Sequence, residues 1–475
     1  MSANDQVTKR HTKIVCTIGP SCSKEDQLVS LVKCGMNVAR LNLTHASADL
    51  QSGTIRKLKE IRSDRPIGFG ILLDIRCAQV RTGVVEKPIV IEKGQEVCFG
   101  VEKLRKNAGK HSFVSVDYSA FGKDARAAEI LLLDNGEMSF DILSISKDGM
   151  VRARALQGGA IGSRRHVNMP GASISLPTFT ASDWRDIDTA IRERVDFLAV
   201  SFIRSSKDIQ EIRRYLTKKK CTIQIIAKIE TRQAVEDLEA IIAASDGIMV
   251  ARGDLGAEIP FEQVPALQDR IVDACRQAAK PVIVATHMLE SMIKHPLPTR
   301  AEATDVAHAA STRADATMLS GETASGRHPL VALDAMHRIL STTESHMSPL
   351  MELQVEGATQ ARAQIAVQLA HSTKADAIVV MTRSGRSAAA ISKFRPLVPI
   401  IAITEDEQVW GQLALCYGVR SLKCSFAGEL ESSANRGIQQ AKNVGLLRKG
   451  MSIVLVSGTE ITGGSTISVQ ARTVQ

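Results

Sequence analysis

IIAKIETRQAVEDLEAIIAASDGIMVARGDLGAEIP, residues 225–260, reads as strand, helix, strand with ionic residues at the end of each strand. Lys228 interrupts the first apolar run and Glu230 follows it. Residues two apart on a strand point to one face, so these two share a direction. The second run, 247–251, ends in Arg252-Gly253-Asp254-Leu255-Gly256, where two glycines predict tight turns and place Asp254 in a loop. Charged groups at neighbouring strand ends predict a metal and phosphate site.

Around this unit the chain repeats the pattern. Short β-branched or apolar runs at 14–18, 38–41, 67–73, 197–202, 223–229, 248–251, 281–286 and 316–319 are each followed by an amphipathic stretch of helical length. Eight βα units predict a closed (β/α)8 TIM barrel, an α/β fold, over 1–74 and 176–347. Residues 75–175 lose that alternation and become rich in short strands and turn pairs, with hairpins predicted at Asp134-Asn135-Gly136, Asp148-Gly149 and Gly158-Gly159. This β domain leaves the barrel at a strand end, so it predicts a lid over the face where barrel enzymes keep their sites. From 348 to 475 a separate α/β domain follows, with strands predicted at 377–381, 399–403, 419–422 and 453–457.

Composition narrows the function. The net charge is +9, but Lys and Arg are dispersed among acids and aromatics make up only 3%. Without basic stripes or stacking aromatics no nucleic-acid binding is expected, and a positive surface for small anionic substrates accounts for the charge. No uncharged apolar run approaches the roughly 18 residues of a membrane span, and residues 1–13 lack the apolar core of a secretory signal. Nine cysteines without a CxxC pair predict reduced thiols and a cytoplasmic setting.

In such a barrel, polar residues at carboxyl strand ends converge. The inventory is Arg40 and Asn42, Asp74, Ser201, Lys228 and Glu230, Arg252 to Asp254, and Thr286. Singly, each has a plainer reading: a surface ion pair, a turn, a helix cap. Together they predict chemistry. Glu230 and Asp254 are too few for a calcium cage but suit magnesium, which keeps waters and substrate oxygens. Lys228 beside that ion calls for an anion between them, so phosphoryl transfer is the favoured reaction class. Gly253 lets a backbone N–H approach a substrate carboxylate, and Thr286 offers a hydroxyl there.

At these residues the sequence resembles the pyruvate kinase family. The resemblance runs nearly end to end, through TKIVCTIGPS from Thr12, ARLNLTH from Ala39, SFIR from Ser201, AKIE from Ala227, DGIMVARGDLGAEIP from Asp246, KPVIVATHMLESMI from Lys280, PTRAEATDVA from Pro298 and MLSGETASG from Met318. It implies a barrel, a β-barrel lid and a C-terminal regulatory α/β domain in a homotetramer, transferring the phosphoryl group of phosphoenolpyruvate to ADP to give pyruvate and ATP in glycolysis. By position, Glu230 and Asp254 would hold magnesium or manganese. Lys228 would stabilise the moving phosphoryl group, Arg40 would contact phosphate, and Ser201 and Thr286 would complete the site. Phosphoenolpyruvate would also meet Gly253 and Asp254. Asn42, Thr44, Asp74 and the carbonyl of Ile75 match a potassium site, and Pro20, His45, Arg81 and Arg165 match positions near ADP. MTRSGRSAAAISKF from Met381 resembles the effector segment, with Thr382, Ser384, Gly385, Arg386 and Ser387 as a phosphate cradle; the tail 458–468 would be its partner loop.

The departures are concentrated. The family's LDTKGPEIRTG stands here as LDIRCAQVRTG from Leu73. Gln79 replaces an acid associated with potassium use, so potassium-using and potassium-independent sites both stand as readings. His166 replaces a usual Gly and His287 a common Gln, while Cys77 lies in the altered hinge. A catalytically weak or inactive phosphometabolite sensor is the alternative in another class, and a different magnesium-dependent barrel enzyme, such as a lyase, is a third.

Overall fold

A computed structural model describes residues 10–44, 47–172, 174–349, 354–427, 429–461 and 464–475. Eight parallel strands, β1 (Lys13–Thr17), β2 (Val38–Asn42), β3 (Gly70–Ile75), β4 (Phe197–Val200), β5 (Gln224–Ile229), β6 (Gly247–Ala251), β7 (Val282–Ala285) and β8 (Ala316–Leu319), close in sequence order. All eight predicted runs are strands. The third starts three residues later than expected, because Ile67 instead bridges Leu422 in the C-terminal sheet. Gly68 permits that detour: a Cβ there would come within 2.7 Å of the Trp410 indole nitrogen.

Strand parity positions the site. Val15, Val38, Leu72, Ile226 and Met249 fill the barrel interior in one cluster. Two residues further on, the same inward face carries Thr17, Arg40, Asp74 and Lys228. The apolar layers below are fully buried, each such side chain contributing about 1.5–3 kcal/mol. They are a floor on which polar side chains stand. The outward strand faces pack under helices such as Ser206–Lys218 and Val264–Gln277 through Leu198, Ile225 and Val250.

Residues between β3 and β4 form a six-stranded sheet and a two-stranded sheet around a core of Val97, Phe99, Leu131 and Phe140. Asp134–Gly136 turns between antiparallel strands, as does the segment around Asp148-Gly149. Gly158-Gly159 is not a hairpin turn: Gly159 opens a strand that pairs with Ile91 in the other sheet.

The C-terminal sheet contains β9 (Ala377–Met381), β10 (Ile400–Thr404), β11 (Val419–Lys423), β12 (Ser452–Ile461) and β13 (Gly464–Thr473), in the order β11-β10-β9-β12-β13. The last was missed, as it lies antiparallel to β12 and breaks the βα rhythm by which the others were read.

Candidate active site

Arg40, at the end of β2, donates from Nε to Asp74 Oδ2 (2.8 Å) and from Nη1 to Thr17 Oγ1 (2.9 Å). Lys228 Nζ lies 3.5 Å from the other Asp74 oxygen, 2.9 Å from Glu230 Oε1, and donates to Ser201 Oγ at 2.8 Å. Ser201 Oγ in turn donates to Asp74 Oδ1 (3.3 Å), and the N–H of Phe202 donates to Glu230 Oε2 (2.6 Å). Five strands or strand ends, β1 to β5, thus deliver one connected network.

Its electrostatics follow from the burial of its side chains. Burial alone would raise the Asp74 carboxyl, but Lys228 and Arg40 overcome it and hold it below the usual range. Burial would lower Lys228; Asp74 and Glu230 instead raise it, so it stays charged. Glu230 differs. Burial pushes it up to about 7 against the opposing pull of Lys228, and Asp254 adds to the rise. Its Oε1 accepts no aligned hydrogen bond, so the lysine contact is ionic only. Arg40 and Lys228 thus pair with Asp74 and Glu230, while Asp254 lies near enough to act by charge on Glu230, Arg81 and His166.

The buried Glu230 Oε1, without an aligned hydrogen bond and with Asp254 close enough to raise its carboxyl further, fits an added cation. Among the described residues no cluster of three or more His, Cys, Asp or Glu forms a ligand set. A divalent ion at Glu230 and Asp254 would therefore complete its shell with water and substrate oxygens, as magnesium does.

Asp254 is not in a loop. Arg252–Glu258 is a short helix that begins where β6 ends, and neither Gly253 nor Gly256 takes a positive φ. Gly253 serves close approach instead. Its N–H donates to Thr286 Oγ1 (2.8 Å), and a Cβ there would come within 3.2 Å of the His287 ring. Asp254 thus sits in a first helical turn, where a carboxylate is favoured. Arg252 turns away from the network: it pairs with Asp305 (2.6 Å) and donates to the carbonyls of Thr286 (2.7 Å) and Ala285 (3.3 Å). It braces two consecutive left-handed residues, Thr286 (φ 66°) and His287 (φ 54°).

Beside Asp74, Asn42 stands in register with it on the neighbouring strand. Thr44 donates to Asn42 Oδ1 from its N–H (3.1 Å) and its hydroxyl (2.8 Å). With Ile75 ending β3, these residues make an oxygen-rich corner. Pro20 is exposed in the turn after β1. Arg81 donates to the Arg164 carbonyl (2.7 Å) and to Gln79 Oε1, and pairs by backbone with His166. Arg165 is engaged by Asp134 (2.8 Å) within the insertion rather than by the barrel network. His45 lies outside the described residues.

At the hinge, Cys77 holds a left-handed φ of 57° and donates its N–H to Asp183 Oδ1 (3.1 Å). In the C-terminal sheet, Gly385 caps the helix Arg386–Lys393 in a left-handed conformation (φ 77°), and its N–H donates to Thr382 Oγ1 (3.0 Å). Ser384 Oγ accepts from Arg386 (3.2 Å), and Ser387 lies in the first helical turn. Residues 462–463 of the expected partner loop lie outside the described residues.

Sequence reading missed two contributors. Thr17 was legible from parity, two residues beyond Val15. Phe202 acts through its backbone N–H, which leaves no local signal. Arg252 was expected to converge with the strand-end residues, but it turns to a distant acid instead.

The chain is similar to known proteins over nearly its whole length. The family description "Pyruvate kinase, barrel domain" matches residues 9–333, and "Pyruvate kinase, alpha/beta domain" matches 360–469. Pyruvate kinase isozyme G, chloroplastic, of Nicotiana tabacum is 41% identical over 477 residues, covering 98% of this chain and 84% of the relative. Plastidial pyruvate kinase 3, chloroplastic, of Arabidopsis thaliana is 40% identical over 97% of this chain and 80% of its own length. Pyruvate kinase of Bacillus licheniformis is 37% identical over 96% of this chain and 79% of its own length. With a buried Lys–Glu–Asp–Arg network at the mouth of its barrel and matches across both halves, the chain belongs to the pyruvate kinase family.

Proposed function

We propose that the network at the ends of β2 to β6 carries out pyruvate kinase chemistry, with the residue roles that follow. The observation that supports them most is Lys228, buried and kept charged between Asp74 and Glu230. In the transfer, the bond from phosphorus to the enol oxygen of phosphoenolpyruvate breaks and one to a terminal ADP oxygen forms. The enolate then takes a proton on its methylene carbon to become pyruvate. Lys228 and Arg40 face the charge that spreads over the phosphoryl oxygens. Ser201 aims Lys228, and Asp74 orders both cations. The Gly253 N–H and Thr286 hydroxyl, which bond each other, exchange that bond for the substrate carboxylate. Glu230 and Asp254 would hold magnesium or manganese, which would supply charge neutralisation on the phosphoryl oxygens.

Asn42, Thr44, Asp74 and the Ile75 carbonyl form the monovalent-cation corner, with potassium as its expected ion. Pro20, His45, Arg81 and Arg165 take ADP. Residues 75–175 act as the lid of a catalytic unit built from 1–74 and 176–347. Residues 348–475 are a regulatory unit in which Thr382, Ser384, Gly385, Arg386 and Ser387 bind a phosphorylated effector. Separate apolar cores in the insertion and the C-terminal sheet support that division. A homotetramer belongs to the same reading. No described helix is long and apolar enough to cross a membrane. Nine unbridged cysteines suit a reducing compartment such as the cytoplasm.

Lys228→Met tests the assignment: transfer should be lost while metal-dependent binding of phosphoenolpyruvate stays measurable. Turnover near that of the unmodified protein would overturn it.

A further inference from the structure

We infer that His166, on the inserted β segment, is a positioning residue for Glu230, acting through the ring and backbone of Phe202. This rests on the reading of Glu230 as a divalent-metal ligand. Glu230 is fully buried, and its aligned hydrogen bond comes from the Phe202 N–H at 2.6 Å. Phe202 holds a left-handed φ of 49°, a conformation that a bulky residue keeps only when its surroundings enforce it. The ring of His166 supplies part of that enforcement. It meets the Phe202 ring edge-on, with centroids 5.1 Å apart and planes at 70°.

His166 is itself fixed. Its N–H donates to Asp134 Oδ1 (3.2 Å), and it bridges Arg81 across the insertion. Two residues on, Asn168 donates to Glu258 Oε1 (2.8 Å), on the helix that carries Asp254. Alternate residues of one stretch of the insertion therefore reach the β4 end, which aims Glu230, and the helix that presents Asp254. The seam beside them is not packed throughout, since a cavity of about 230 Å3 lies there, lined by Gln79, Arg204 and Arg232 among others. The ring contact is thus not backed by a continuous interface. Seating the insertion on the barrel fixes Phe202, and Phe202 fixes the orientation of the carboxylate. A glycine at this position would offer no such contact.

The test is a Mn2+ titration of metal-free full-length protein, read from the EPR signal of the free ion and run without turnover. His166→Gly should weaken Mn2+ binding by about two- to tenfold, the span an edge-to-face aromatic pair can carry. His166→Phe, which keeps the ring, should bind within about twofold of the unmodified protein. In the steady state, the half-saturating Mn2+ concentration should move with the glycine variant while kcat at saturating Mn2+ does not. His166→Leu replaces the glycine variant if the latter fails to fold, with the same direction expected. Unchanged Mn2+ binding in the glycine or leucine variant overturns the inference. So does failure of phenylalanine to restore binding, which would place the effect in imidazole chemistry. Glu230→Gln separates the two claims: if it binds Mn2+ like the unmodified protein, the metal assignment itself falls, whatever His166 does.

Discussion

The rim at β5 and β6 and the hinge after β3 face the same site but are built differently. Lys228 and Glu230 are buried and held by ion pairs and hydrogen bonds from two other strands, β3 and the end of β4, and by each other. The hinge, from Ile75 to Gln79, is held largely by its backbone: Cys77 N–H on Asp183 and Ala78 N–H on the Thr178 carbonyl. A side-chain network constrains residue identity, because each member leaves a charge uncompensated when lost. A backbone-held joint constrains conformation and tolerates varied side chains. That difference accounts for a chain that keeps AKIE and GDLG while rewriting the segment between Asp74 and Val80.

The comparison can be broken at its strictest point first. Glu230→Gln removes a carboxylate from the proposed metal pair, and half-saturating Mg2+ in the coupled assay should rise by at least about 100-fold, the upper end of the cost of losing even an outer partner. Asp74→Asn keeps a hydrogen-bonding group but strips the shared counter-charge of Arg40 and Lys228. It should lower kcat/KM for phosphoenolpyruvate by about 30-fold, or about 2 kcal/mol, the low end for a buried charge pair. Steady-state kinetics with circular dichroism to verify folding checks both.

Effects at the hinge should be smaller. Gln79 accepts from Arg81, and Gln79→Glu would place a negative charge there. Activation by potassium over sodium should rise by several-fold, up to about tenfold if one favourable charge contact near 1.4 kcal/mol is gained. An unchanged potassium response would uncouple residue 79 from the monovalent-cation corner.

The smallest effect is expected at Cys77. Burial, then the neighbouring Asp183, pushes its thiol well above the ordinary value. The folded state therefore favours the protonated thiol. This contribution to stability is fully present below the unfolded pKa and is lost progressively as pH rises from there to the higher folded value. Iodoacetamide at pH 8, mapped by mass spectrometry, should label exposed Cys34 and leave Cys77 untouched. Cys77→Gly, which suits the left-handed φ, should leave turnover within about twofold, because relief of roughly 1 kcal/mol of strain offsets the flexibility glycine adds to the unfolded chain. Labelling of Cys77 in folded protein would show the hinge to be open in solution.

Legibility in the sequence followed the same division. Places at carboxyl strand ends carried Arg40, Asp74 and Lys228 to one site, parity of two set Lys228 and Glu230 in one direction, and the βα rhythm carried the barrel. Asp254 was read into a loop because Gly-Asp-Leu-Gly has turn composition, whereas the strand end of β6 feeds a helix directly. β13 was missed because an antiparallel return strand ends the rhythm. Phe202 and Arg252 act through a backbone N–H and through an acid 53 residues away, and neither relation is written in local spacing.

The most direct measurement is lactate-dehydrogenase-coupled turnover of the unmodified protein with phosphoenolpyruvate and ADP, with and without a divalent ion, across potassium, sodium and a panel of sugar phosphates. Pyruvate formation that requires Mg2+ or Mn2+ and stops on chelation is the expected result. No pyruvate under any cation condition, with phosphoenolpyruvate still bound, would contradict a phosphoryl-transfer site built on Lys228, Glu230 and Asp254.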